Sequence, residues 1–125
     1  MAVDPTGSAL AQLMAEDPGG PVVMLNLLRF APEGRASYEE YSRKAGKFLK
    51  RYGAELLYAG DGTSPLVAEE RQAWDAVLLV RYPSREAFSR MVADPEYREI
   101  TELRTRGLEE AVLQPTVPWS SRGGS

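Results

Sequence analysis

PVVMLNLLRF, residues 21–30, is apolar on either side when read as a strand. Successive strand side chains point to opposite faces. Val22, Met24, Leu28 and Phe30 then share one face with Asn26, and Val23, Leu25 and Leu27 share the other with Arg29. A strand that is apolar on both faces belongs in the middle of a sheet that is covered on both sides. WDAVLLVRY, residues 74–82, repeats the pattern, with Ala76, Leu78 and Val80 on one face and Val77 and Leu79 on the other.

The flanking segments supply the remaining elements. Tyr38, Tyr41, Ala45, Phe48, Leu49 and Tyr52 follow a 3.6-residue period and predict a helix over 38–52, with Ser37 and Glu40 as a capping box and Gly53 as its stop. Residues 54–60 (AELLYAG) read as a strand, which residues 66–68 extend beyond a turn. Ser84 caps a helix that buries Phe88, Met91 and Val92. Asp94-Pro95 restarts helix, and Tyr97, Ile100 and Leu103 carry its apolar stripe to Gly107. A short strand follows at 110–116. Ahead of the first strand, Leu10, Leu13 and Met14 mark a short amphipathic helix that DPGG, residues 17–20, stops.

The order is strand, helix, strand, strand, helix, strand. Right-handed crossovers turn it into a ferredoxin-like α+β domain: a four-stranded antiparallel sheet, both helices on one face, first and third strands central. The expected organisation is an N-terminal helical extension at 1–20, the domain at 21–117 and a loose tail at 118–125. Two helices cover one face of the sheet. The other would expose an apolar patch of roughly several hundred Å², which a monomer rarely tolerates. The N-terminal helix is too short to cover it, so a second copy of the chain is the expected cover, giving a homodimeric α/β barrel.

Composition narrows the chemistry. With 125 residues, 43% of them hydrophobic, the chain suits one globular domain. It has no cysteine and no histidine, which excludes disulfides, thiolate nucleophiles, Cys/His zinc sites, a Ser-His-Asp triad and a histidine-ligated haem. A formal net charge of −3 argues against nucleic acid as the main partner. No apolar run reaches the ~18 residues of a membrane span. No signal peptide is apparent, and the cytoplasm is the expected compartment. No glycine-rich phosphate loop is present, so neither flavin nor any other cofactor is expected.

PVVMLNLLRF, YEEYSRKAGKFLKRYGAELLYAG and WDAVLLVRYPSREAFSRMVADPEYREITELR together resemble the family called domain of unknown function 1330 (DUF1330), over about residues 21–115. The specific pieces are Tyr41 with Gly53, then Tyr82-Pro83-Ser84, Asp94-Pro95-Glu96-Tyr97 and Arg104. The resemblance implies membership of the dimeric α/β-barrel superfamily, which includes cofactor-free monooxygenases, polyketide cyclases, muconolactone-type isomerases and haem-degrading enzymes. It also implies a pocket between helices and sheet. The haem-degrading members commonly use a histidine, which is absent here. The cofactor-free monooxygenases use Asn, Trp and Tyr side chains, and Asn26 and Trp74 are of those types.

Three residues stand out as candidates for catalysis. Arg104 lies on the stripe of Tyr97 and Ile100, so its guanidinium is directed at the sheet and needs a partner. That partner is either a protein carboxylate, Asp75 or Glu96, or the carboxylate or enolate of a ligand. Asn26 interrupts a central strand, where its amide bonds a neighbour or holds a substrate carbonyl or oxyanion. Asp75 either caps a loop or pairs with an arginine or, in an apolar pocket, acts as general base. Tyr41, Tyr97, Tyr38 and Trp74 are candidate substrate contacts, with Arg29 at the rim, where it would touch substrate or the second copy. The leading expectation is a cofactor-independent isomerase, cyclase or monooxygenase acting on a small organic acid, aromatic or polyketide-like molecule. The alternatives are a non-catalytic metabolite-binding or stress-associated homodimer, and a purely structural dimer.

Overall fold

A computed structural model describes residues 3–119. Its elements are α1 (Gly7–Ala15), β1 (Val22–Phe30), α2 (Arg35–Arg51), β2 (Glu55–Asp61), β3 (Ala76–Tyr82), α3 (Arg85–Ala93), α4 (Pro95–Arg98), α5 (Thr101–Gly107) and β4 (Leu108–Thr116). The strands form one antiparallel sheet in the order β2-β3-β1-β4, so the two doubly apolar strands are indeed central. The fold is α+β and ferredoxin-like.

Alternation along β1 works as expected. Val22, Met24 and Leu28 are buried beneath the helices, and Phe48 of α2, Phe88 and Met91 of α3 and Tyr97 of α4 pack on them or beside them. Leu13 of α1 joins this same layer, so the N-terminal helix adds to the helical side. Arg85 fastens it there by donating from Nη1 to the Leu13 carbonyl at 2.9 Å. On the reverse face Val23, Leu25, Leu27, Val77 and Leu79 are only half-buried and belong to neither core cluster.

Local chemistry sets the helix ends. The Ser84 hydroxyl accepts from the Ala87 amide at 3.0 Å, and the Asp94 carboxylate from the Glu96 amide at 2.9 Å, with Pro95 in the first turn of α4. Both caps match their sequence signals. The capping box does not form. Helix α2 begins earlier, at Arg35, behind Gly34, and the Ser37 hydroxyl instead donates to the Leu103 carbonyl at 2.8 Å. Close backbone contact between Gly34 and Gly107 fixes this start: a Cβ on Gly107 would lie 2.8 Å from the Gly34 oxygen. The helix after Pro95 is broken at Glu99 and Ile100 into α4 and α5, and β4 follows α5 without a loop.

Residues 66–68 do not extend β2. The chain leaves the sheet after Asp61, and the Gly62 amide bonds the Asp75 carbonyl at 2.9 Å to close a loop that carries Leu66 and Val67 fully exposed. Most of the tail expected at 118–125 lies outside the described residues. Among the described residues no helix is long and apolar enough to cross a membrane.

Candidate functional site

A cavity of about 290 Å³ opens between the inner face of the sheet and the helices. Asn26 forms part of its floor, Tyr82 of β3 and Tyr41, Tyr97 and Arg104 from the helices line it, and Asp4 closes one side. A lobe of about 110 Å³ shares Asn26, Tyr41, Tyr82 and Arg104 and adds Tyr38. Asn26 reaches this place by strand parity. It pairs with Leu78 on one side and Leu113 on the other, and it interrupts the buried row of Val22, Met24 and Leu28. Its Nδ2 makes one long bond, 3.4 Å, to the Met24 carbonyl, which leaves most of the amide's capacity unused.

The phenols form a connected group. Tyr41 and Tyr97 bring their hydroxyls to 2.5 Å, and the ring centroids of Tyr38 and Tyr41 are 5.4 Å apart. Burial pushes the Tyr41 phenol well above its ordinary pKa, and the neighbouring Tyr97 adds to the effect. Burial also raises Tyr97, Tyr82 and Tyr38, with the Arg104 charge opposing it in each case. Either hydroxyl can donate in this bond, and the one that accepts is left free to donate elsewhere. These phenols are neutral hydrogen-bond donors at physiological pH.

Arg104, on α5, is 6% exposed. Its Nη1 donates to the Val3 carbonyl and, at 3.0 Å, to the Asp4 carboxylate. The Thr105 hydroxyl donates to the other Asp4 oxygen at 3.0 Å. Arg104 Nη2 is buried with no partner among the described residues. Neither carboxylate expected from the sequence is the partner. Glu96 is turned outward and bonds Arg51 at 2.7 Å. Asp75 is exposed at the foot of the 62–75 loop, where it accepts the Phe30 amide at 2.9 Å.

The sequence candidates therefore divide into two groups. Asn26, Tyr41, Tyr97, Tyr38 and Arg104 come together around the cavity. Asp75, Trp74 and Arg29 do not. Arg29 projects from the reverse face of β1, stacks over Trp74 at 4.6 Å and pairs with Glu110 at 3.1 Å. Asp75 is thus exposed and lies outside the cavity. Sequence reading overlooked Tyr82 and Asp4. Tyr82 was within reach, because it shares the face of Ala76, Leu78 and Val80. Nothing in the sequence marks Asp4, which meets Arg104 across 100 positions.

Fold and site together define a ferredoxin-like α+β protein with a tyrosine- and arginine-lined cavity under its helices. The family model for a domain of unknown function (DUF1330) matches residues 27–114, and the chain belongs to that family. It is similar to RPA0582, a protein of unknown function from Rhodopseudomonas palustris, at 33% identity, covering 94% of this chain and 97% of that one with a TM-score of 0.86. More distant likenesses show the fold alone. One is a dabb family protein with a ferredoxin-like fold from Mesorhizobium loti, 13% identical, TM-score 0.59, covering 82% of this chain and 100% of that one. Another, from B. thetaiotaomicron, is named after antibiotic biosynthesis monooxygenases; it is 21% identical, TM-score 0.57, covering 79% of this chain and 90% of that one. No curated protein matches the chain.

Proposed function

We propose that the protein binds a small organic molecule in this cavity and converts it without a cofactor, as an isomerase, cyclase or monooxygenase would, on an organic acid, aromatic or polyketide-like substrate. Arg104 carries the reading. A buried guanidinium with an unused Nη2, beside neutral phenols, is costly unless a ligand group completes it. In this reading Arg104 stabilises carboxylate or enolate charge, Tyr97 or Tyr82 donates to a substrate oxygen, and Asn26 orients it.

The protein would work as a homodimer. Half-buried Val23, Leu25, Leu27, Val77 and Leu79 form a two-strand apolar stripe that a second sheet covers by two-fold symmetry. Sedimentation at micromolar concentration is expected to give the mass of two chains, and a single-chain mass would refute the dimer.

A non-catalytic metabolite-binding or stress-associated role has one observation in its favour. Among the described residues, Asp4 is the cavity's one carboxylate, and it is already bonded to Arg104 and Thr105. Native mass spectrometry of the purified protein tests the shared core of both readings. A small-molecule adduct that disappears in Arg104→Gln is expected. Absence of any adduct, together with no binding across a panel of organic acids and neutral aromatics, would sink both.

A further inference from the structure

We infer that the ligand is a compact organic monocarboxylate, and that its carboxylate takes the place Asp4 holds on Arg104. The inference rests on the cavity being a binding site and goes further in naming what enters it.

Asp4 uses the arginine incompletely. It meets one outer nitrogen, Nη1, through one oxygen, while its second oxygen goes to Thr105. A free carboxylate can engage both outer nitrogens of a guanidinium in the forked geometry that arginine favours. It would thereby satisfy Nη2, which is buried without a partner among the described residues. Asp4 is half-exposed and sits on a short segment ahead of α1, whose first cap is Thr6. Ligand entry requires that segment to move aside and the buried Nη2 to become reachable.

Charge and size set the class of ligand. The charged groups lining the cavity are Arg104, the rim residue Arg98 and Asp4. The phenols are held in their neutral form by burial. Once Asp4 swings away, one buried positive charge needs one negative charge. A neutral ligand would leave it unpaired, which is costly. At about 290 Å³ the cavity falls at the small end of the roughly 300–1,000 Å³ usual for ligand sites. It suits a single ring or a short chain, whose apolar body would lie against Phe88, Met91 and Leu113.

Benzoate and its neutral isostere benzamide are suitable probes, with calorimetric titration of the full-length protein. Wild type is expected to bind benzoate in preference to benzamide. In Asp4→Asn the competing charge is gone, and benzoate should bind about tenfold tighter, as when a competitor that holds the arginine roughly nine-tenths of the time is removed. Benzamide, which fills the cavity without displacing Asp4 from Arg104, should keep its affinity, and Arg104→Gln should lose benzoate. The comparison within Asp4→Asn holds even if Arg104→Gln fails to fold. If both probes bind and Asp4→Asn leaves benzoate unaltered or weaker, the carboxylate assignment falls while the cavity reading stands. If no form binds either probe, and no other small molecule binds or co-purifies, both fall.

Discussion

Arg29 and Arg104 lie on opposite faces of one sheet, and their surroundings differ in kind. Arg29 uses its whole guanidinium. Nε and Nη2 meet Glu110 at 3.2 and 3.1 Å, Nη2 also donates to the Arg71 carbonyl at 2.9 Å, Nη1 donates to the Ala73 carbonyl, and the group stacks on Trp74. These bonds fasten the 62–75 loop to the sheet. Arg104 is more deeply buried yet leaves Nη2 unmatched. An arginine whose donors are all taken by its own chain is a fastener. One that is buried and incomplete is where a second molecule has something to gain.

Exchanging each arginine for methionine should separate the two roles, and here the largest effect is expected. Arg104→Met should weaken benzoate binding by about 100-fold or more, the scale of two charge-assisted hydrogen bonds. Its stability should stay within ~1 kcal/mol of wild type, because the carboxylate it leaves behind, Asp4, is half-exposed and regains water. Arg29→Met should show the reverse. Binding holds, while the urea midpoint falls by the equivalent of about 1–3 kcal/mol as two carbonyls lose their donor and Glu110 keeps only Arg71. If Arg29→Met weakens binding as much as Arg104→Met, the division between fastener and site is wrong.

A smaller effect should appear in alkali. Tyr41, Tyr97, Tyr82 and Tyr38 all have pKa values raised by burial in the folded state. Their contribution is therefore fully present below the unfolded value near 10 and is lost as pH rises through the higher folded values. Phenolate absorbance should show these residues resisting ionisation until the protein unfolds. Thermal stability should drop above pH ~10, the unfolded-state tyrosine value. Bound benzoate should move that drop upward. Early ionisation of all six tyrosines, with the fold intact, would mean that the cavity is wet and open.

Legibility in the sequence followed the range of each interaction. Strand parity is local and read out well: β1 and β3 are central, and Asn26 lies on the cavity face because two-residue alternation leaves no other choice. Caps are local too, and Ser84 and Asp94 behave as their neighbours suggest. Ser37 misled because close contact between Gly34 and Gly107, a tertiary event, starts α2 earlier and leaves the hydroxyl to Leu103. The partner of Arg104 was illegible for the same reason. Burial of the guanidinium follows from helical periodicity, but which of 18 acidic residues reaches it depends on where the chain before α1 is laid down. Asp75 reads from the sequence as part of the opening of a central strand, where it would cap a loop, pair with an arginine or act as a base. In the fold that strand begins at Ala76, and Asp75 accepts the Phe30 amide.

The smallest expected effect belongs to a second arginine that bonds only its own chain, here from the surface. Arg51 bonds Asp94 at 2.8 Å and Glu96 at 2.7 Å, and the Tyr52 hydroxyl donates to Asp94 at 2.6 Å. The Tyr52 hydrogen bond above all, with the Glu96 amide and Arg51 acting against some desolvation, lowers the Asp94 carboxyl from 3.8 to about 2. A depressed carboxylate contributes stability above its unfolded pKa and loses it as pH falls through the folded one, so this contribution should fade between pH 3.8 and about 2. Asp94→Asn keeps the cap of α4, since asparagine serves there as well as aspartate, but it removes the titrating group. The melting temperature of Asp94→Asn should fall less steeply than that of wild type on acidification through this window. At neutral pH benzoate affinity should be the same in both proteins, as befits a group on the fastening side of the comparison. Parallel acid curves would show that the Arg51 cluster is loosely held in solution, and a change in benzoate affinity would show that it communicates with the cavity through Tyr97.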